Sequence, residues 1–385
     1  MNILIFAQYF LPGFKAGGPI RSIHNLIQVT ADQNKYSLIT SDRDIKDPLP
    51  YKGVQMNRWV IKPNYKIYYF HRSVRSFIKV YFGIRHYDLI YLNSFFSPFF
   101  GILPCIAALG FQKKIIIAPR GEFSSGALAI KPQKKELYLK FFKTCNIQKQ
   151  ITWQATSPEE ENNIKRIMGE EVRVSIAPNL SGQGIDHDEF NSIIKSKPPI
   201  SKKLLLLFVG RVAEIKNLDF ALSLLNKVTF PVDFSIFGPL EDQDYLQKCQ
   251  NIINKLPSNV KVNFKGEVSH NQTQVLFQKH HFLFFPTKGE NYSHVIAESL
   301  QNGCPVILSD QHPWKELEEQ KAGWAIPLDS PERFLQVLNQ FSRLRPHEYD
   351  ELSANALLYW NKIYKRDLAS SKTLYNKLFS ENVKK

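Results

Sequence analysis

Short runs of apolar residues recur along this chain, each followed by helical or turn material: NILIFAQ, YSLIT, YDLIYLN, KKIIIAP, ITWQAT and VRVSIAP in the first half. They are apolar on successive residues and not on every second one. That is the signature of parallel strands buried on both faces under helices. A doubly wound parallel sheet follows from it.

The pattern restarts after a polar stretch, SGQGIDHDEFNSIIKSKPPISKK, with LLLLFVG, VDFSIFG, VKVNFKG, FLFFP and PVILS. The polar stretch reads as a linker near residues 180–202, between two similar Rossmann-like domains over 1–182 and 200–348. At 385 residues, with 43% apolar side chains, the chain can bury two cores. Beyond Ser330 the sequence turns helical and polar, and its Leu, Trp, Ile and Tyr residues recur at three- and four-residue steps towards the end. This predicts a long amphipathic terminal helix over 349–385.

The opening MNILIFAQYF carries no basic leader and meets Pro12 and Gly13, so it reads as a buried first strand and not as a signal peptide. The longest apolar run, Phe95 to Phe111, is broken by Pro98, Gly101 and Pro104 and falls short of the roughly 20 residues of a spanning helix. It is expected to be a buried helix. Cys105, Cys145, Cys249 and Cys304 lie far apart, which argues against a metal knuckle or a disulfide framework and fits a reducing cytoplasm.

The net charge of +15 is unevenly placed, with 25 Lys/Arg against 12 Asp/Glu in residues 1–180. Residues 51–150 hold 17 basic and 3 acidic side chains, interleaved with aromatics. Such a mixture suits an anionic surface, either membrane headgroups or a phosphorylated acceptor. Solvation of helix faces and binding of nucleic acid are the other readings.

Ligands of open α/β sheets bind beyond the carboxyl ends of the strands, which directs attention to three loops. After LLLLFV comes GRVAEIKNLDF, in which Gly210 permits close backbone approach and Arg211 and Lys216 offer two cations suited to a diphosphate. After FLFFP comes PTKGENYSHVIAESL, with Glu290 before and Glu298 within an expected helix. If that helix starts near Asn291, the amides of Asn291, Tyr292 and Ser293 favour an anion, and the two carboxylates differ by about 10 Å along its axis. After the first strand, Gly17 and Gly18 precede a helix start.

These loops, in this order on two α/β domains, resemble the family-four retaining glycosyltransferases of the GT-B fold over essentially the whole chain, and the two glutamates of GENYSHVIAESL are the most specific part. The resemblance implies two Rossmann-like domains facing across a cleft, with the terminal helix crossing back to an acceptor-binding first domain. It places Arg211 and Lys216 on the donor diphosphate and Glu298 on the ribose. Glu290 and the amides of Asn291 to Ser293 meet the sugar, Gly266 the base, and Gly17 and Gly18 the donor phosphate. A Pro-Arg-Gly-Glu segment resembles one branch of the family and would turn Arg120 and Glu122 towards the cleft, where many relatives carry a His that this chain lacks.

The chemistry implied is transfer with retention from a nucleotide sugar, with no enzymic nucleophile and no cofactor. The acceptor would be a saccharide or a polyprenyl-diphosphate-linked one, in cell-surface polysaccharide synthesis at the inner face of the cytoplasmic membrane. Metal is not expected: Asp42-Arg43-Asp44, Asp186-His187-Asp188 and Asp242-Gln243-Asp244 match Asp-x-Asp but read as loop or turn chemistry. Two other readings stay open, a nucleotide-sugar epimerase on the same architecture and, against the acidic pair, a nucleic-acid-binding protein.

Overall fold

A computed structural model describes all residues except 72, 125–126, 129–131, 180–183, 201–202, 269, 291, 342 and 381–385. It divides into two compact units, one of Met1–Leu180 with Asp367–Lys385 and one of Ser181–Arg366.

Among the described residues the first unit is built on eight strands: β1 (Asn2–Phe6), β2 (Lys35–Ser41), β3 (Trp59–Ile61), β4 (Tyr65–Phe70), β5 (Leu89–Leu92), β6 (Lys114–Ile117), β7 (Thr152–Ala155) and β8 (Arg173–Ile176). Their order is β3-β4-β2-β1-β5-β6-β7-β8, and every pairing is parallel except β3 with β4. Alternate residues of the strands feed two separate cores. Leu4, Phe6, Ile90 and Leu92 pack under the helices Val74–Gly83, Leu103–Gly110, Pro132–Thr144 and Pro158–Met168. Ile3, Ile5, Leu89 and Tyr91 pack under Gly18–Thr30 and the end of the terminal helix, through Tyr375, Leu378 and Phe379. Burial on both faces is why these strands carry no polar alternation.

The hairpin β3–β4 departs from the sequence reading, which took NYKIYYF as part of a basic aromatic stretch. Ile67, Tyr68, Tyr69 and Phe70 are buried there, with the Tyr69 hydroxyl donating to the Leu11 carbonyl at 2.9 Å. Tyr is a strand residue when its ring is covered and its hydroxyl finds an acceptor.

Among the described residues the second unit has six parallel strands, β9 (Leu204–Val209), β10 (Val232–Phe237), β11 (Val260–Gly266), β12 (Phe282–Phe285), β13 (Val306–Ser309) and β14 (Gly323–Ile326), in the order β11-β10-β9-β12-β13-β14. The order reverses between β9 and β12, the switch point where such sheets bind ligands. Part of the expected linker is instead a helix, His187–Ser196, capped by Asp186, whose carboxylate accepts from the Glu189 amide at 2.9 Å. A strong cap and the buried Ile193 outweigh the polar composition of this stretch.

The terminal helix runs Pro346–Ser380. Its first part buries Tyr349, Leu357 and Trp360 in the core of the second unit, and its last residues belong to the first unit. In the run Phe95 to Phe111, a wide helical turn, Pro98–Ile102, leads into Leu103–Gly110, which buries Cys105 and Ala108 but leaves Ile106 47% exposed. No helix among the described residues is long and apolar enough to cross a membrane.

Candidate functional site

Three glycines close the carboxyl edge of the second sheet. Gly238, directly after β10, has φ +145°, and a Cβ there would sit 1.9 Å from the Gly210 carbonyl oxygen after β9. Only glycine fits such an approach. The Gly210 amide donates to the Phe237 carbonyl at 2.9 Å, and the Gly238 amide to the Gly266 carbonyl at 2.8 Å, so the ends of β9, β10 and β11 are laced together. Among the described residues a Cβ on Gly266 would meet nothing within 4 Å, although its φ of +75° still selects glycine. The sequence reading named Gly210 and Gly266 and missed Gly238, whose only signal is its place after a strand.

The loops after β9 and β12 are stitched to each other. Asn217, left-handed at φ +58°, donates its side-chain amide to the Pro286 carbonyl at 2.9 Å. The Lys288 amide and the Thr287 hydroxyl both donate to the Ile215 carbonyl, at 2.9 and 3.0 Å. This brings Lys216 onto Glu290: its ammonium donates to Oε1 in an ion pair whose side chains are only 14% and 12% exposed. The same ammonium lies 5.5 Å from the centroid of the Phe285 ring. The Glu290 amide donates to the Gln311 carbonyl at 3.0 Å, and among the described residues the carboxylate oxygen Oε2 has no partner. Here is a shielded cation held by a carboxylate with accepting capacity to spare, at the switch point of the sheet.

Arg211 stands further out. It pairs with Glu241 at 2.5 Å, each side chain being nearly half exposed. Such a pair contributes little to stability and exchanges easily.

The helix after β12 begins at His294, later than expected, because Ser293 turns left-handed at φ +60° immediately before it. Glu290 lies before the helix, as expected, and because the helix starts at His294 the helical rise of about 1.5 Å per residue covers only part of the span to Glu298. Asn291 lies outside the described residues. The Tyr292 carbonyl is taken by Trp314 Nε1 at 2.6 Å, while the Ser293 hydroxyl is buried without a partner among the described residues. Glu298 sits within the helix His294–Gln301, half-buried. His312 supports this corner: its Nδ1 accepts from the Trp314 amide at 3.0 Å, and burial holds its imidazole down to about 4.

In the first unit, Gly17 has φ +59° and caps the helix Gly18–Thr30, and among the described residues a Cβ on Gly17 would meet nothing within 4 Å. Arg120 and Glu122, expected to face the acceptor or sugar, are both partly exposed and hydrogen-bonded within their own unit. Arg120 donates from Nε to Asn93 at 2.9 Å, from Nη2 to the Tyr91 hydroxyl at 2.8 Å and from Nη1 to Asn179. Tyr91 in turn donates to Gln154, whose amide donates to the Tyr375 hydroxyl at 2.8 Å. Glu122 accepts from the Ser94 hydroxyl and the Phe95 amide, both at 2.6 Å, and from the Phe96 amide at 3.3 Å. Burial pushes its carboxyl above the usual range, opposed by those hydrogen bonds. Both residues fasten the sheet edge of their own unit.

That edge holds a cavity of 340 Å³ at the ends of β1, β2 and β4, lined by Gln8, Tyr9, Asp42, Arg43, Phe70 and His71 among others. Asp42 accepts from Arg43 at 2.9 Å and pairs with His71 Nδ1 at 2.6 Å, and Asp44 accepts the Phe14, Lys15 and Ile45 amides. Asp242 caps the helix Gln243–Ile253 through the Tyr245 amide. Each Asp-x-Asp therefore contains an aspartate engaged in cap or turn chemistry. The sequence reading named none of the cavity's residues as a site, since Gln8, Asp42 and His71 are brought together only by strand pairing.

Comparison with known proteins follows this division. Residues 189–357, within the second unit, match the family model described as glycosyl transferases group 1. The chain is 27% identical over 142 residues to the O-antigen chain mannosyltransferase RfbU of Salmonella typhimurium strain LT2; the match spans 36% of this chain and 40% of that protein. Among solved structures, sucrose-phosphate synthase from Thermosynechococcus elongatus matches with a TM-score of 0.69 at 15% identity, covering 99% of this chain and all of that one. HepE from Anabaena, in complex with UDP and glucose, matches at 0.65 and 15% identity over 99% of both chains. WaaG, a glycosyltransferase involved in lipopolysaccharide biosynthesis, matches at 0.62 and 13% identity, covering 97% of this chain and 99% of its own. The fold is GT-B, two parallel-sheet α/β domains.

Proposed function

We propose that this protein is a retaining glycosyltransferase of the family-four type, moving a sugar from a nucleotide-diphosphate donor to a saccharide or polyprenyl-diphosphate-linked acceptor in cell-surface polysaccharide synthesis. The observation that carries the reading is the shielded Lys216–Glu290 pair at the switch point of a group 1 domain. In this reading Lys216 turns from Glu290 towards the donor diphosphate, joined by Arg211 once it exchanges Glu241 for phosphate. Together they stabilise the charge that grows on the leaving diphosphate, the effect that usually dominates such catalysis. Glu290, relieved of its lysine, accepts hydrogen bonds from the sugar hydroxyls, with Ser293 beside it. Gly210, Gly238 and Gly266 let the nucleotide approach the backbone, and Glu298 takes the ribose.

A UDP donor is supported by the UDP complex of HepE, and a polysaccharide setting by the likeness to RfbU and WaaG. The acceptor is assigned to the first unit, where the cavity around Asp42 and His71 offers hydrogen-bonding groups beside the ring of Phe70. Nothing in this scheme requires a metal, because Lys216 and Arg211 supply the countercharge, so transfer should persist in chelator. An epimerase reading gains no support from the matches. Incubation with UDP- and GDP-sugars and a saccharide acceptor, with the anomeric configuration of the product followed by NMR, tests the reading. A product of inverted configuration, or turnover without acceptor, would overturn it.

A further inference from the structure

Of the fifteen large apolar side chains that stand exposed among the described residues, seven lie on three helices of one layer of the first unit. On Val74–Gly83, Val74, Ile78 and Phe82 form a ridge at four-residue steps, 79%, 52% and 56% exposed, while Val80 and Tyr81 of the same helix are buried in the core beneath. Phe77 stands beside that ridge. Leu137 and Phe141 form a second ridge on Pro132–Thr144, 72% and 52% exposed, with Phe142 buried. Between them in the layer lies Leu103–Gly110, bearing the exposed Ile106, and the Phe82 ring reaches Phe111 just beyond it at 6.0 Å. All three helices cover the same face of the sheet, since their inward residues share one core.

Charge decides what this surface meets. Arg75 and Lys79 run beside the first apolar ridge and Lys134, Lys140 and Lys143 beside the second, all exposed, and Glu136 is the one acidic residue in the three helices. A second protein copy would bring the same positive face to itself, whereas apolar ridges flanked by cations match the headgroup and acyl boundary of an anionic bilayer.

We infer that this helical layer is a docking face for anionic lipid bilayers, on which Ile78, Phe82, Leu137 and Phe141 insert between headgroups held by the flanking lysines and Arg75. The inference rests on the proposed function only in supposing a lipid-linked acceptor; the docking itself needs no transfer chemistry.

Sedimentation of the full-length protein with vesicles tests it. Binding is expected to phosphatidylcholine vesicles made about one third phosphatidylglycerol and not to phosphatidylcholine alone, falling at least about tenfold in roughly 0.5 M NaCl. The double variants Ile78→Glu/Phe82→Glu and Arg75→Glu/Lys79→Glu should each lose at least about tenfold in partitioning with unchanged melting temperature, whereas Leu358→Glu, at an exposed apolar residue of the second unit, should bind as wild type. Should either helix variant melt early, Leu137→Glu/Phe141→Glu provides the same readout from a different helix. The inference is overturned by equal binding to both vesicle types, or by binding indifferent to the helix substitutions. A dimer that Ile78→Glu/Phe82→Glu dissociates, or binding of oligonucleotides without vesicle binding, also overturns it. Melting-temperature shifts by nucleotide sugars should be the same in all these variants, so failure here leaves the donor assignment standing.

Discussion

Two turns in this molecule look alike in sequence, Arg120-Gly121-Glu122 after β6 and Lys288-Gly289-Glu290 after β12, and folding gives their glutamates different surroundings. Glu122 spends both oxygens on Ser94 and on the Phe95 and Phe96 amides. Glu290 gives one oxygen to Lys216 and, among the described residues, keeps the other without a partner. A carboxylate surrounded by its own unit's amides is part of the frame. One balanced against a single movable cation is available to a ligand, because losing that cation to a phosphate leaves it charged and accepting.

The comparison can be broken at several points. The largest effect is expected at Lys216: Lys216→Ala should lower kcat/KM by about a hundredfold, the scale seen when one donor to a developing oxyanion is removed, and should also lower stability by about 1–3 kcal/mol because the shielded Glu290 carboxylate loses its cation. Glu290→Gln should lower kcat/KM at least about tenfold, whereas Glu122→Gln should destabilise by about 1 kcal/mol, since a neutral amide oxygen accepts the Phe95 and Phe96 amides more weakly than a carboxylate, and keep most of its turnover per folded molecule. The reverse assignment of these two phenotypes would remove the distinction.

A smaller effect concerns acid. The buried imidazoles of His312 and His281 are held down to about 4, from an ordinary value of 6.5. The unfolded chain therefore takes up these protons first, and stability falls as pH drops from about 6.5 to about 4, by up to about 3 kcal/mol for each. His312→Gln should flatten roughly half of that decline in a pH series of denaturant melts; an unchanged slope would deny His312 the role. Smallest of all is the effect of chelator, expected to leave transfer rates unchanged.

The sheets were legible because burial on both faces writes itself into consecutive apolar residues, as in LLLLFV and FLFFP. Gly210, Lys216 and Glu290 stand in the loops that follow two such strands, which is what singles them out in the sequence. What escaped depended on distant pairing. Glu122 is fixed by residues 26 to 28 positions upstream, and Arg120 by Tyr91 and Asn179. Gly238 matters only through the Gly210 carbonyl. The late helix start follows from a positive φ at Ser293, a residue type that seldom adopts one. The hairpin β3–β4 was hidden because its tyrosines and lysines resemble a surface stretch until the rings are seen to be covered.

The central claim is that Lys216 and Glu290 exchange each other for a donor diphosphate and its sugar. Thermal melting of wild-type protein and Lys216→Ala with UDP-sugars, GDP-sugars and the matching nucleoside monophosphates tests it most directly, since a ligand that binds only the folded state raises its apparent stability. The account predicts a clear upward shift of the wild type with one diphosphate sugar, little with the monophosphate, and loss of the shift in Lys216→Ala. An equal shift in the variant, or none in the wild type with any nucleotide sugar, would contradict it.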